Sequence, residues 1–394
     1  MKILWLTPKW TLPANDGARV ASYKLLSNLS KHNLSIDYLA LSHPDDNENI
    51  EAIENELRLK NAYYIKRTLP LDTLGKAIYY LFQAIVHPLV PLTISSFRSR
   101  KIKSFISNLL SHEEYDYIVA DGLHCLGPIK NFEKNKIIYR SHNVEADIWK
   151  KASQDTKNLL KKVALFYQYL LMLRFEKKVL RNSYMTLPIS SDDEIIFEKT
   201  ISKEKMQVTP IGMTFENLPS SNLLGDKVQF LFLGRLDWPP NKDGLKWFLD
   251  KVYPKLNLQK VHLHIAGSGN RDWLKSYYSL EGITFHGYVD SISELYKKID
   301  CCIIPIFYGS GTRIKVIEAT SYAKPMISTA MGALGSTLEP GVDYERCEKE
   351  DEWAESMNNY QQEKHYHLSQ NAIKKLKKTY DEKEIAQKLF DTLS

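Results

Sequence analysis

The sequence predicts an α/β protein built from two doubly wound domains, each a parallel sheet with helices on both faces. Three observations carry this. Short β-rich apolar runs alternate with helical stretches, the pattern that builds parallel sheets through crossover helices. The alternation breaks at the turn-rich stretch Asn217-Leu-Pro-Ser-Ser-Asn222 and restarts at Val228. The chain has 394 residues, enough for two full cores.

Taken in order, Lys2–Leu6 reads as a strand and Gly17–Lys31 as a helix with Val20, Tyr23, Leu25, Leu26 and Leu29 on its apolar side. Ser35–Leu41 is a second strand. Tyr117–Ala120 and Ile137–Tyr139 are short buried strands, and Met185–Ile189 is another. A single long helix is expected from Ala146 to Arg181. The second series is Val228–Leu233, Val261–Ala266, Ile283–His286, Cys301–Pro305 and Met326–Ser328. The tail, Asp381–Leu393, is helical and amphipathic. No repeat of 20–50 residues and no low-complexity tract interrupts this order.

Composition bounds the function. Apolar residues make up 43% and charged residues 25%, ordinary for a globular chain, which excludes wholesale disorder. The net charge of +6 suits anionic ligands or an anionic membrane surface and is too small to argue for nucleic acid. Cys125, Cys301, Cys302 and Cys347 lack metal-ligand spacing, and a reduced, cytoplasmic compartment fits them. The apolar start is too short for a secretory signal. The nearest approach to a membrane span, Ile78 to Phe97, contains Gln83, His87, Pro88 and Pro91.

The densest motif is Tyr308-Gly-Ser-Gly-Thr-Arg-Ile-Lys-Val-Ile-Glu-Ala319, between the strand Cys301–Pro305 and a helix. Open α/β sheets bind ligands at such strand ends. Gly309, Ser310, Gly311 and Thr312 offer small residues and backbone N–H groups at a helix start, and Arg313 and Lys315 add two charges. Glu318 can accept from sugar hydroxyls. Diphosphate donors beside a ribose-grade acceptor describe a nucleotide-sugar site. The bland reading is a helix cap with a first-turn acid.

Four further stretches end strands or join elements. In Phe230-Leu-Phe-Leu-Gly-Arg-Leu-Asp-Trp-Pro-Pro-Asn-Lys242 the chain turns at Gly234 and places Arg235 at the sheet edge, where a guanidinium can grip a diphosphate. Lys242 either reaches the same anion or is solvated. In Tyr139-Arg-Ser-His-Asn-Val-Glu145, His142 is either structural or a donor to a substrate hydroxyl or phosphate. The loop through Asp16-Gly17 lacks the G-x-G-x-x-G fingerprint, against a dinucleotide site. Ala120-Asp-Gly-Leu-His124 carries a second histidine, read as structural. Finally, Ser96–Phe105 mixes four cations with Phe97, Ile102 and Phe105, and with the upstream Tyr79–Leu92 it reads as either a membrane-docking segment or a solvated helix. For the Lys161–Arg181 helix the reading is a solvated face with its apolar side in the core.

Together these motifs resemble the GT-B glycosyltransferases, and within them the retaining glycosyltransferase family 4. The resemblance runs over most of the chain and is densest from Val228 to Gly335. It implies two Rossmann-like domains facing each other across a cleft, residues 1–215 on the acceptor side and 216–375 holding the nucleotide sugar, with a helix at 376–394 packing back toward the first. It implies Arg235 on the donor diphosphate with Lys315 or Lys242 as second cation, Glu318 on the ribose, His142 against the transferred sugar, and Gly17 facing donor and acceptor. The first acid of the family's E-x7-E signature is replaced by Ser310.

The expected activity is metal-independent, retaining hexose transfer from a nucleoside diphosphate sugar to a glycan or lipid-linked acceptor. No cofactor and no metal are expected, and the diphosphate sugar is a co-substrate. The expected setting is the cytoplasm, peripheral at the inner face of the plasma membrane, in cell-surface polysaccharide synthesis. A nucleotide-sugar 2-epimerase and a non-catalytic glycan-binding partner on the same fold are the alternatives.

Overall fold

A computed structural model describes the chain except residues 15–16, 44–45, 47, 68, 71, 130–135, 216–224 and 310–312. Asp16, the turn-rich stretch at 217–222, Ser310, Gly311 and Thr312 therefore lie outside the described residues. The chain divides into two compact units, Met1–Gly212 with Ile385–Ser394, and Met213–Glu384.

The first unit opens with β1 (Lys2–Thr7), α1 (Gly17–Leu29), β2 (Ser35–Ala40), α2 (Ile50–Leu57) and β3 (Asn61–Tyr64). Helices α3 (Thr73–Val86), α4 (Leu92–Ser95) and α5 (Arg100–His112) lead to β4 (Tyr117–Asp121) and β5 (Ile137–Ser141). Then come α6 (Glu145–Asp155), α7 (Leu159–Asn182), β6 (Met185–Pro188) and α8 (Ser191–Phe197). The strands form one six-stranded parallel sheet in the order β3-β2-β1-β4-β5-β6. Successive side chains leave a strand on opposite faces, so β1 feeds two cores. Leu4 and Leu6 join Tyr139, Met172 and Val179, while Ile3 and Trp5 join Leu26, Leu29 and Tyr38.

The second unit runs β7 (Val228–Leu233), α9 (Pro239–Trp247), β8 (Val261–Ala266), β9 (Ile283–Gly287), α10 (Ile292–Tyr296) and β10 (Cys301–Ile304). It continues with α11 (Ile314–Ser321), β11 (Met326–Ser328), β12 (Glu345–Arg346), α12 (Glu350–Asn358) and α13 (Gln362–Tyr380). Its sheet is also six-stranded and parallel, ordered β12-β11-β10-β7-β8-β9. Phe230 and Phe232 anchor its core beside Phe248 and Trp353. The last helix, α14 (Glu382–Leu393), starts where Asp381 turns extended and accepts from the Lys383 and Glu384 N–H groups. Its Ile385, Leu389 and Leu393 are buried with Ile3, Leu29 and Ile36 in the first unit.

Each strand order reverses once, between β1 and β4 in the first sheet and between β7 and β10 in the second. At such a point the loops leaving two neighbouring strands turn to opposite faces and open a crevice beyond the strand ends.

Three expectations are corrected. The long helix is two, because Thr156 is extended and Asn158 restarts the chain as N-cap, its side chain accepting from the Lys161 N–H at 3.0 Å. The apolar residues of Ser96–Phe105 do not face outward: Phe97 and Ile102 are buried and Phe105 packs against the same core. Conversely, the start of α7 keeps its apolar residues in solvent, with Leu159, Leu160 and Val163 exposed. The four cysteines are buried free thiols, all pushed up by burial.

The start of α6 is held by a buried acid. Glu176 on α7 accepts from the N–H of Glu145 at 2.9 Å and of Ala146 at 3.2 Å, supplying partners that a first helical turn lacks. Burial pushes this carboxyl up to about 8 and that of Glu145 up to about 7. The fold thus keeps protons that the unfolded chain releases at its ordinary carboxylate pKa. This contribution is fully present below the unfolded value and is lost as pH rises through the folded one. The urea midpoint should fall across that interval, and Glu176→Gln should make the fall shallower. A Gln variant with an equally steep fall would show that Glu176 is not the titrating group.

Candidate functional site

In the first unit the strand exits carry a buried charge cluster. Asp121 ends β4, and the sheet register sets it against Arg140 on β5. Arg140 Nη1 donates to Asp121 Oδ1 at 2.8 Å, both side chains fully buried. His142, two residues beyond Arg140, has Nε2 2.6 Å from the same oxygen and keeps 14% of its side chain exposed. The Trp5 indole on β1 donates to the other carboxylate oxygen at 3.2 Å. Burial alone would raise the Asp121 carboxyl, but Arg140 and His142 reverse that and hold it well below the usual range.

The Asp121 contact occupies one ring nitrogen of His142 and leaves Nδ1 for another partner. Neighbouring loops are tied down as well. Arg19 Nη2 donates to Asp46 at 2.6 Å and Arg19 Nε to the Trp10 carbonyl at 2.8 Å, which clamps the β1–α1 loop. Gly17 begins α1 with open space where a side chain would be. His124 is half-buried beside Phe97, and burial pushes it down to about 4, a structural neutral imidazole.

In the second unit the exits of β7 and β10 face the reversal point. Gly234 follows β7, and a Cβ there would lie 2.8 Å from the Asn241 amide nitrogen and 2.9 Å from Lys315 Nζ. The small residue keeps that contact possible. Asn241, buried on α9, holds two pieces together: its Nδ2 donates to the Arg235 carbonyl at 2.9 Å, and its Oδ1 accepts from Lys315 Nζ at 2.8 Å. A Cβ at Gly244 would collide with the Pro305 carbonyl, so α9 sits directly against the end of β10. The Lys315 ammonium lies 5.0 Å from the Phe232 ring centroid. Burial pushes it down to about 7, with Arg313 adding to the fall and Glu318 opposing it. A cation held in place by a neutral amide, without full solvation, is a ready partner for an anion.

The other expected residues stand around this pair. Arg235 points outward and is paired with Asp237, Nε to Oδ1 at 2.6 Å. Lys242 Nζ lies 6.0 Å from the Trp273 ring centroid. Gly309 has a φ of +124°, outside ordinary L-residue space, and a Cβ there would press on the Arg313 guanidinium at 2.9 Å. Arg313 Nε donates to the Met331 carbonyl at 3.3 Å. Glu318 is half-buried on α11, one helical turn after Lys315. Among the described residues no three of His, Cys, Asp and Glu converge as a metal-binding group.

The structure thus adds three residues not singled out from the sequence: Asp121, Arg140 and Asn241. A signal existed for two of them. Arg140 and His142 are two apart at a strand end and share a face, and Asp121 sits at the end of a neighbouring apolar run. Nothing in the sequence pairs Asn241 with Lys315.

Residues 227–363 match the family model of glycosyl transferases group 1. The chain is 25% identical over 407 aligned residues to an uncharacterized 44.6 kDa protein in the cps region of Klebsiella pneumoniae, 99% of each chain being covered. Among solved structures it resembles HepE of Anabaena in complex with UDP and glucose, at 15% identity and a TM-score of 0.63, covering 100% of this chain and 99% of that one. It also resembles sucrose-phosphate synthase from Thermosynechococcus elongatus, at 15% identity and a TM-score of 0.66, covering 100% and 98%. The fold is GT-B, two parallel α/β units of this kind.

Removing one partner of a buried ion pair strands the other charge. Asp121→Asn should therefore cost about 3–5 kcal/mol of unfolding free energy. Adding Arg140→Met should recover much of it, measured by urea denaturation. If the double variant is no more stable than Asp121→Asn, the cost does not come from the stranded guanidinium.

Proposed function

We propose that this chain, a glycosyltransferase whose second unit is a glycosyl transferases group 1 domain on a GT-B fold, moves a hexose from a nucleoside diphosphate sugar to a glycan or lipid-linked acceptor in cell-surface polysaccharide synthesis. The observation that carries the donor reading is the Asn241 clasp, which fixes the Arg235 backbone and the Lys315 ammonium together at the reversal point of the second sheet. The UDP and glucose bound by the Anabaena relative support a diphosphate-linked hexose, and the cps setting of the Klebsiella relative supports a capsule-type polymer.

In this reading the bond from the sugar's anomeric carbon to the diphosphate oxygen breaks and a bond to the acceptor oxygen forms. The acceptor attacks from the face the diphosphate leaves, its proton passes to the departing diphosphate oxygen, and the configuration is retained. This family-4-type chemistry asks the protein for charge stabilisation of the leaving group rather than for a metal. Lys315 supplies it from a fixed position. Arg235 supplies it by exchanging Asp237 for phosphate oxygens, and Arg313 and Lys242 add positive potential. Glu318 accepts from the ribose hydroxyls. His142, its Nε2–H donated to Asp121, presents Nδ1 as an acceptor to a hydroxyl of the transferred sugar. Gly17, Gly234 and Gly309 keep the backbone open to the donor, and Ser310, Gly311 and Thr312, outside the described residues, belong to the same donor-binding stretch.

A thermal-shift screen against UDP, GDP, ADP and TDP tests the donor site. A ligand at about 100 times its dissociation constant stabilises by about 2.7 kcal/mol. One nucleotide should raise the melting temperature, Glu318→Ala should abolish the rise and Lys315→Met should reduce it. Arg235→Ala should lower kcat/KM by about 100-fold or more. No response to any nucleotide would sink the donor assignment.

Lys315 also makes a pH prediction. Its pKa of about 7 in the free protein rises when an anion binds, so binding takes up a proton above neutrality. Nucleotide affinity should therefore weaken as pH climbs above 7, by up to about tenfold per pH unit. Titration calorimetry in buffers of different ionisation enthalpy should register the proton, and Lys315→Met should not take it up. Equal proton uptake in that variant would assign the effect elsewhere.

A further inference from the structure

Two helices of the first unit carry apolar stripes that face solvent. On α3, Leu74, Ile78, Leu81, Phe82 and Ile85 recur at helical spacing, the pattern that normally marks a core-facing side. Each is 59–71% exposed, and no residue of α3 is buried. On α7, Leu159, Leu160, Val163, Phe166 and Leu170 repeat the pattern at 47–84% exposed. The chain just after α3 is tied to α7: the Tyr167 hydroxyl donates to the Pro88 carbonyl at 2.8 Å, and the Leu92 N–H donates to Gln168 Oε1 at 3.0 Å. Exposed apolar stripes of this kind mark an interaction surface.

Charge says what covers it. Residues 73–112 contain Lys76, Arg98, Arg100, Lys101 and Lys103 and no aspartate or glutamate. Residues 156–175 contain Lys157, Lys161, Lys162 and Arg174 and again no acid. Nine cations in these two stretches exceed the net +6 of the whole chain, so the remainder is net acidic. Arg100, Lys101, Lys157, Lys161 and Lys162 are exposed. A two-fold dimer through this face would bring the same cations against each other. Leucine, isoleucine and phenylalanine framed by lysine and arginine, with acids (Asp72 at the α3 N-cap and Asp155) only at the edges of these stretches, match a surface whose interior is hydrocarbon and whose rim is anionic. None of the described helices is long and apolar enough to cross a bilayer.

We infer that the α3–α7 face docks the protein onto an anionic lipid bilayer, the two stripes entering the acyl boundary and the basic residues meeting the headgroups. The inference extends the lipid-linked branch of the acceptor reading. It does not depend on the donor chemistry, since nucleotide binding is read separately by thermal shift.

Vesicle flotation of the full chain tests it, with phosphatidylcholine alone and with phosphatidylcholine containing phosphatidylglycerol. The protein should float with the anionic vesicles, much less with the neutral ones, and less at high salt. The triple variant Leu81→Ser, Phe82→Ser, Ile85→Ser should lose binding by about tenfold or more, and Lys161→Glu with Lys162→Glu by a similar factor. Both should keep the parent's circular dichroism and its thermal shift with whichever of the four nucleotides stabilises the parent. Failure of the parent to float on anionic vesicles would overturn the inference, as would floating that both variants retain. A parent dimer in sedimentation velocity that the serine variant dissociates, without vesicle binding, would overturn it in favour of a second copy.

Discussion

Every strand in both sheets runs parallel to its neighbours, and the remaining features of the two units follow from that constraint. Parallel pairing sends all the strand exits of a sheet to one edge, and crossover helices must bring the chain back each time. Loops that begin far apart in the chain therefore collect along that edge. Where the strand order reverses, two of them part to opposite faces. Asp121 and the loop after β1 stand beside the reversal in the first sheet, with His142 at the next strand exit. Arg235, Gly309, Arg313 and Lys315 stand beside it in the second. A shared edge, with no shared sequence segment, makes each of these sites.

Burying charge near such an edge is expensive, and the two units handle it differently. In the first, Arg140 is balanced by Asp121, and Asp121 spends its remaining acceptor capacity on His142 and the Trp5 indole. The pair is internally neutral, and its chemical product is an oriented imidazole. In the second, the Lys315 ammonium meets a neutral amide and an aromatic face. Its charge is only partly compensated, as the fall of its pKa to about 7 registers. A group left in that condition gains most from an arriving anion. The first cluster suits positioning and the second suits binding, a division set by what each charge was given as a neighbour.

The apolar face of α3 and α7 reverses the usual logic of an amphipathic helix. Helical spacing of leucine, isoleucine and phenylalanine is a signature of packing against a core, and on α5 it does so, with Ile102 and Ile106 buried. On α3 the same spacing points outward, and none of its residues is buried among the described residues. Both helices lie in the same acid-free basic stretch, so what distinguishes them is burial: Ile102 and Ile106 of α5 are inside, whereas no residue of α3 is buried. An apolar stripe left outside in a basic stretch is the pattern of a helix lying in a headgroup layer.

The sequence by itself determined the order and type of most elements, because apolar period and turn residues act within a few positions. The strands Val228–Leu233, Val261–Ala266 and Met326–Ser328 are found with the expected limits. It also determined the residue types at the strand ends: Gly234-Arg235, His142 and the Arg313–Glu318 run. Only the tertiary structure decided which of these meet. Asp121 finds Arg140 because parallel register aligns β4 with β5, and Asn241 finds Lys315, 74 residues later, because α9 presses on the end of β10 where Gly244 leaves no side chain in the way. The break at Thr156–Asn158 and the outward faces of α3 and α7 belong to the same class. A periodic stripe states that a face is apolar but carries no label for its partner, and the partner is chosen by the three-dimensional competition for the same core.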